Sequence, residues 1–411
     1  MCLGHQHRLA ADECPRLVSP RSYLSAAYTT MGQWSGACEI GAAMESPGAR
    51  YIRVCSLYLG AMTSTVASTR TMRTLAKTRP GRGLELVNRP LPEPGPSEVL
   101  LRMDAASICG TDYHLFSWDD WAAENLVPPR ILGHVLAGTV AAVGAGVTRV
   151  KEGDLVGVES HIVDWTCAQC RRGDMHLCRN LQVIGVHVDG GFAEQVVIPE
   201  ANAIESNGLD PAVVALQEPM GNAVHAAFVE PIEGRSVLVT GCGPIGLCAV
   251  GIARAAGASM VIATDTEAYR LELARTMGAD LALDAGDPAT EERIAEVTGG
   301  DGIEVVLEMS GAPAALDQAL RVVTRGGSIS LLGIFGEPPT VDLSELVIMK
   351  GLRLHGIFGR RLYDTWERTQ SLLRGGLDVT PIITHRLGLE QWEQAFDLIA
   401  SRHAGKVVLL P

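Results

Sequence analysis

At 411 residues the chain exceeds what one hydrophobic core usually serves, and its 47% apolar content is ample for two domains. The formal net charge of −13 argues against nucleic acid or an anionic membrane as a partner, since both need a basic face. Ten cysteines in a chain this long do not form a disulfide scaffold; three fall in Cys167-Ala-Gln-Cys170 and Cys178, a metal-binding spacing that fits a reducing, cytoplasmic compartment. No apolar run reaches the ~18 residues needed to span a bilayer, and abundant glycine with few aromatics suits an α/β protein with many tight turns.

Residues 1–71 differ from the rest. They hold Cys2, Cys14, Cys38 and Cys55, scattered Arg and Ser, no lysine, and no sustained apolar period. The apolar run is too broken for a secretory signal, and Asp12, Glu13, Glu39 and Glu45 weigh against a transit peptide. The expectation is a translated upstream region, disordered, ahead of a start near Met62 or Met72.

From Met72 the pattern is one of short strands, over residues 84–87, 98–106 and 130–143, with a proline-rich connection at Pro90, Pro92, Pro94 and Pro96. Glycine corners at Gly133, Gly138 and Gly144 predict a small, partly open barrel for residues 72–222. Within it lies Cys109-Gly-Thr111-Asp112-Tyr-His114, followed by Gly133-His134. Thiolate and imidazole are common zinc ligands, and a zinc ion that does chemistry takes three protein ligands and keeps one position open. Glu218 is the best candidate for the third. Asp164-x2-Cys167-x2-Cys170-x7-Cys178 reads as a loop tied by a structural zinc, with carboxylate in the first position, or as a loop with three free thiols and no metal.

Residues 223–358 read as a dinucleotide module. An apolar run at 236–240 ends in Gly241-Cys-Gly243-Pro244-Ile245-Gly246, and a helical stretch at 247–256 follows. Strand, G-x-G-x-x-G, helix is the context that gives this motif meaning: a tight turn, close backbone approach to a pyrophosphate, and close helix–strand packing. A second strand ends at Asp265, about 20 residues on, where a carboxylate accepts from both ribose hydroxyls and repels a 2′-phosphate, favouring NAD over NADP. Arg270 has two readings, a contact to adenine or ribose and a solvated helix residue. Further strands at 281–283, 303–308, 328–335 and 350–358 predict a doubly wound parallel sheet. Helices at 363–374 and 389–400 and a strand at 405–410 predict a tail, residues 359–411, that returns to the first domain.

From about Met72 onward these residues resemble the zinc-dependent medium-chain dehydrogenases. The broadly shared motifs are Cys109-Gly-Thr-Asp112, Gly133-His134-x3-Gly138-x5-Gly144 and Gly241-x-Gly243-Pro-Ile-Gly246. The stretches at 217–225, 308–313, 356–360 and 381–386 resemble the branch that oxidises L-threonine to 2-amino-3-oxobutanoate. The resemblance implies a GroES-like catalytic domain, a Rossmann domain, NAD, one catalytic and one structural zinc, a small-molecule alcohol substrate and a homotetramer. It further implies a proton relay through Thr111 and His114, His134 oriented by Asp112, and a substrate contact from His161. Each has a plainer reading: a turn cap for Thr111, a surface position for His114, a helix cap for Asp112, a buried structural imidazole for His161. Two positions depart from the family: Val135 stands where a glutamate usually follows the zinc-binding histidine, and Asp164 replaces the first structural cysteine. Val135 keeps a polyol or other secondary-alcohol dehydrogenase in view, and a non-catalytic NAD-binding protein that has lost its metal is the other alternative.

Overall fold

The computed structural model describes residues 70–411. The expectations for the amino-terminal extension lie outside these residues, apart from Thr71, which opens the strand Thr71–Lys77.

Three strands, Glu85–Pro90, Thr71–Lys77 and Arg130–Ile131, form a small sheet beside a larger, seven-stranded one. The larger sheet is built on the long antiparallel pair Glu98–Ser107 and Val135–Val143. Alternation drives that pairing: Val99, Leu101 and Met103 turn inward together and are buried. The chain's last strand, Lys406–Leu410, pairs with Glu98–Ser107 and brings Ile383–Gly388 with it into the seven-stranded sheet. Phe396 anchors this return, with its ring 4.7 Å from Phe116 and edge-on to Trp392.

The second sheet has six parallel strands, ordered Leu281–Asp284, Met260–Asp265, Ser236–Thr240, Ile303–Glu308, Val323–Leu331, Arg353–Gly356. In chain order this is third, second, first, fourth, fifth, sixth, so the strand order reverses beside Ser236–Thr240. Crevices outside the carboxyl ends of strands at such a reversal are where α/β sheets bind ligands. Two strands differ from their expected extents. The fifth begins at Val323 and stops at Leu331 rather than running over 328–335, because the Leu332 and Gly333 amides turn to the Glu308 carbonyl and Ile334 stands 92% exposed. The sixth shrinks from 350–358 to four residues, since Gly351, at φ +63°, still belongs to the preceding turn.

One helix, Pro211–Ala227, serves both sheets. Ala212, Val214 and Ala215 pack on Ala105, Ala137 and Val408 of the first; Val213, Leu216, Met220 and Ala223 join the core of the second. Its residues are apolar nearly all round, as a helix buried on every side must be. The expected boundary between residues 222 and 223 falls inside this helix. Phe396→Ala should lower stability by about 3–5 kcal/mol, read as a reduced urea midpoint.

Candidate active site

The thiol of Cys109 sits at the start of the helix Gly110–Ser117. Asp112 closes the turn: its Oδ2 accepts from the Cys109 amide at 2.9 Å, while its Oδ1 lies 3.5 Å from His134 Nδ1. One carboxylate therefore caps the helix and faces the imidazole. Burial pushes the Cys109 thiol up, but Lys406 and the adjacent His134 outweigh it and hold the thiol below its ordinary value. His134 shows the converse: burial lowers it, yet Asp112 and Cys109 raise it well above an ordinary imidazole. Val135, fully buried, opens the strand opposite Ser107 and offers no donor.

Glu218 lies on the shared helix, 5% exposed. Its Oε1 accepts from Ser160 Oγ at 2.7 Å and is 2.6 Å from Arg360 Nη1. Among the described residues, the one set of His, Cys, Asp and Glu side chains whose ligand atoms all lie within 4.8 Å of one another is Asp164, Cys167, Cys170 and Cys178. Cys109, His134 and Glu218 are not gathered that closely. The structure brings Cys109 and His134 together with Asp112 behind them, and turns Glu218 toward Arg360. Thiolate, imidazole and carboxylate are nonetheless the donor chemistry of a zinc site, and with Nδ1 of the buried His134 facing Asp112 the other ring nitrogen is the one left to ligate a metal.

His161 stacks on Phe358, with ring centroids 6.3 Å apart and planes 11° from parallel. Burial and the Arg360 guanidinium push it down to about 4. Thr111 is half-buried in the first helical turn, whereas His114 is exposed and paired with Asp119 rather than turned inward.

The glycine loop is arranged as its motif requires. Gly241, at φ +85°, has the Ser310 backbone where a side chain would be; Gly246 abuts the Gly241 carbonyl; a Cβ on Gly243 would meet nothing within 4 Å. That opening leads to the amino end of the helix Pro244–Ala255, a ready site for a pyrophosphate. Asp265 accepts from the amides of Cys242, at 2.6 Å, and Glu267, at 2.9 Å, with Arg270 Nη1 4.0 Å away.

In the cysteine lobe, Asp164 Oδ1 accepts from the Thr166 and Cys167 amides and Oδ2 from Asn180 Nδ2. The Cys167 and Thr166 amides hold its carboxyl well below the usual carboxylate range. A carboxylate oxygen so anchored keeps a lone pair for a metal, so the set fits zinc.

Sequence reasoning gave no role to Glu159, Ser160, Arg360 or Lys406. Glu159 is 1% exposed, Arg360 1% and Lys406 2%. A charge in a strand or loop reads as solvated until the tertiary partner that buries it is known; the available signals were the proximity of Glu159 to His161 and the place of Arg360 at the end of the stretch 356–360.

Fold and site together define a zinc-type, dinucleotide-dependent dehydrogenase. Residues 95–208 match the alcohol dehydrogenase GroES-like domain and residues 244–374 the zinc-binding dehydrogenase family. The chain is 47% identical over 344 residues to an L-threonine 3-dehydrogenase from Symbiobacterium thermophilum, covering 83% of this chain and 98% of the relative. A Pyrococcus horikoshii protein of the same name is 44% identical over 82% of this chain and 98% of its own. Among solved structures, a zinc-binding dehydrogenase from Sinorhizobium meliloti bound to NADP matches with a TM-score of 0.77 at 31% identity, over 83% of this chain and all of the other. The chain belongs to the zinc-dependent medium-chain dehydrogenases. Membership brings a nicotinamide dinucleotide, zinc and a small-molecule substrate. No helix among the described residues is long and apolar enough to cross a membrane.

Because His161 stays neutral in the fold to about pH 4 and ionises near 6.5 when unfolded, it costs stability as pH falls through that interval. His161→Asn should therefore lose less Tm than the parent between pH 7 and pH 5, measured by thermal melts in one buffer series.

Proposed function

We propose that the chain oxidises the secondary alcohol of L-threonine to 2-amino-3-oxobutanoate with hydride transfer to NAD+. The observation that carries this reading is near-full-length similarity to relatives named for that activity. Cys109, His134 and Glu218 would hold the catalytic zinc, and Asp164, Cys167, Cys170 and Cys178 a structural one. When bound, zinc supplies a Lewis acid that makes an alcohol acidic, and NAD+ supplies the hydride acceptor.

This chain's own residues do the rest. Asp112 fixes the imidazole of His134 and the backbone beside the Cys109 thiol. Gly241, Gly243, Pro244, Ile245 and Gly246 cradle the pyrophosphate; Asp265 takes the ribose hydroxyls, and Arg270 stands beside them. His161, neutral and stacked on Phe358, presents a polar edge to the substrate's amino or carboxylate group. Thr111 begins the proton's exit, and exposed His114 hands it to water. With Val135 next to His134, no carboxylate at that position competes for a metal.

The exposed edge strand Arg353–Gly356, flanked by exposed Ile348, Met349 and Phe358, supports assembly with further copies, and we read the unit as a homotetramer of the cytoplasm.

NADH formation at 340 nm over L-threonine, sorbitol, butane-2,3-diol and simple alcohols tests the substrate. Threonine should give the highest kcat/KM; a better polyol or diol would keep the class and overturn the substrate. Cys109→Ser should abolish turnover and catalytic zinc together, read by metal analysis alongside the assay. Asp265→Ala should weaken NAD+ about tenfold or more, by loss of charged hydrogen bonds, and narrow the preference over NADP+ in paired KM measurements.

A further inference from the structure

Glu159 ends the run that follows the strand Leu155–Val158 and is 1% exposed. Its carboxylate is fully used. Oε1 accepts from the His161 amide at 2.9 Å and from Arg360 Nη2; Oε2 accepts from Arg360 Nε at 2.9 Å and from Trp366 Nε1 at 2.7 Å. Arg360 is equally committed. Nε and Nη2 fork onto Glu159, Nη2 also donates to Ser160 Oγ at 2.9 Å, and Nη1 reaches Asn222 Oδ1 and Glu218 Oε1. The Ser160 hydroxyl donates to Glu218 Oε1 at 2.7 Å. Both contacts on Glu218 thus fall on one oxygen, and among the described residues no hydrogen bond reaches Oε2.

We propose that Glu159 is a positioning residue, which anchors the Arg360 fork so that the guanidinium touches Glu218 through one nitrogen and leaves Glu218 Oε2 for the metal. This rests on reading Glu218 as a zinc ligand. The physical reason is the geometry of guanidinium pairing. Arginine cannot shed its proton in a protein, and with a carboxylate it prefers the two-oxygen fork. Arg360, 1% exposed, has two carboxylates in contact, and the one it forks is Glu159. If Glu159 lost its charge, the fork would pass to Glu218 and take both oxygens. Trp366 and the His161 amide hold the plane of Glu159 against that exchange.

The test compares zinc per chain, by mass spectrometry after dialysis in metal-free buffer, for the parent, Glu159→Gln, Glu159→Asp, Glu218→Gln and the double variant Glu159→Gln/Arg360→Met. Glu159→Gln should retain the zinc that depends on Glu218 about tenfold or more less tightly, the scale of losses when a group behind a metal ligand is removed. Glu159→Asp, which keeps the charge, should hold most of it. The double variant should regain zinc relative to Glu159→Gln, because the competing guanidinium is gone; a purely structural Glu159 predicts the double variant to be worse. If Glu218→Gln loses zinc while Glu159→Gln keeps it, or the double variant is poorer than the single, the inference is overturned. If Glu218→Gln itself keeps full zinc, the ligand reading of Glu218 falls and this inference falls with it. Should Glu159→Gln not fold, Trp366→Phe, which removes one donor from Glu159, carries the same comparison: weaker zinc restored by Arg360→Met supports the inference, and unchanged zinc overturns it.

Discussion

A guanidinium buried between two carboxylates is the constraint on which the catalytic half of this molecule depends. Taking any of these ions out of water costs several kcal/mol, and only close pairing with every polar atom satisfied offsets it. Glu159, Arg360 and Oε1 of Glu218 meet that condition by drawing on three separate stretches: Glu159 and Ser160 at the end of a barrel strand, the helix shared by the two sheets, and the segment before the helix Asp364–Arg374. Arg360 raises no question of titration; pairing with Glu159 and Glu218 outweighs its burial and pushes it up. Glu159 goes the other way and is held down to about 2 by Arg360, in spite of its burial. Glu159 and Arg360 therefore face each other as a charged pair, and their geometry fixes one oxygen of Glu218.

The same segment reaches the cysteine lobe. Leu362 is buried against Val163, Cys170 and Cys178, and Tyr363 stacks on Trp165. His225, on the shared helix, bonds the Gly359 carbonyl through Nδ1, with the His176 ring edge-on to it at 5.4 Å. Between these contacts runs the backbone that presents Arg360. The fold of the lobe and the aim of the guanidinium share one short stretch of chain.

The two departures from the family pattern have different characters in the fold. Val135 is fully buried and puts an apolar side chain in place of a carboxylate beside His134. Asp164 exchanges a soft ligand for a hard one, yet gains two amide donors and the Asn180 side chain, which organise its turn whether or not a metal is present. The first leaves the position after His134 without a ligand atom, while the second substitutes one means of closing a loop for another.

What could be read from the sequence alone follows from local rules. Gly241, Gly243 and Gly246 are dictated by backbone approach within six residues, and the strand ends at Asp265 by the period of an apolar run; the cysteine spacing needs only a short loop. The placement of Cys109, capped by Asp112 three residues on, is equally local. The apolar runs that predict the fifth and sixth strands extend beyond the ladder: Leu332 and Gly333 bond the Glu308 carbonyl after the fifth, and Gly351 still belongs to the turn before the sixth. Glu159 and Arg360 lie 201 residues apart, and nothing local to either shows that they pair. Sequence determined the parts whose chemistry closes within one turn or one strand. Which charges would be buried together, and hence which oxygen Glu218 can offer, was decided only by folding, because desolvation and long-range pairing depend on neighbours that the chain brings in from far away.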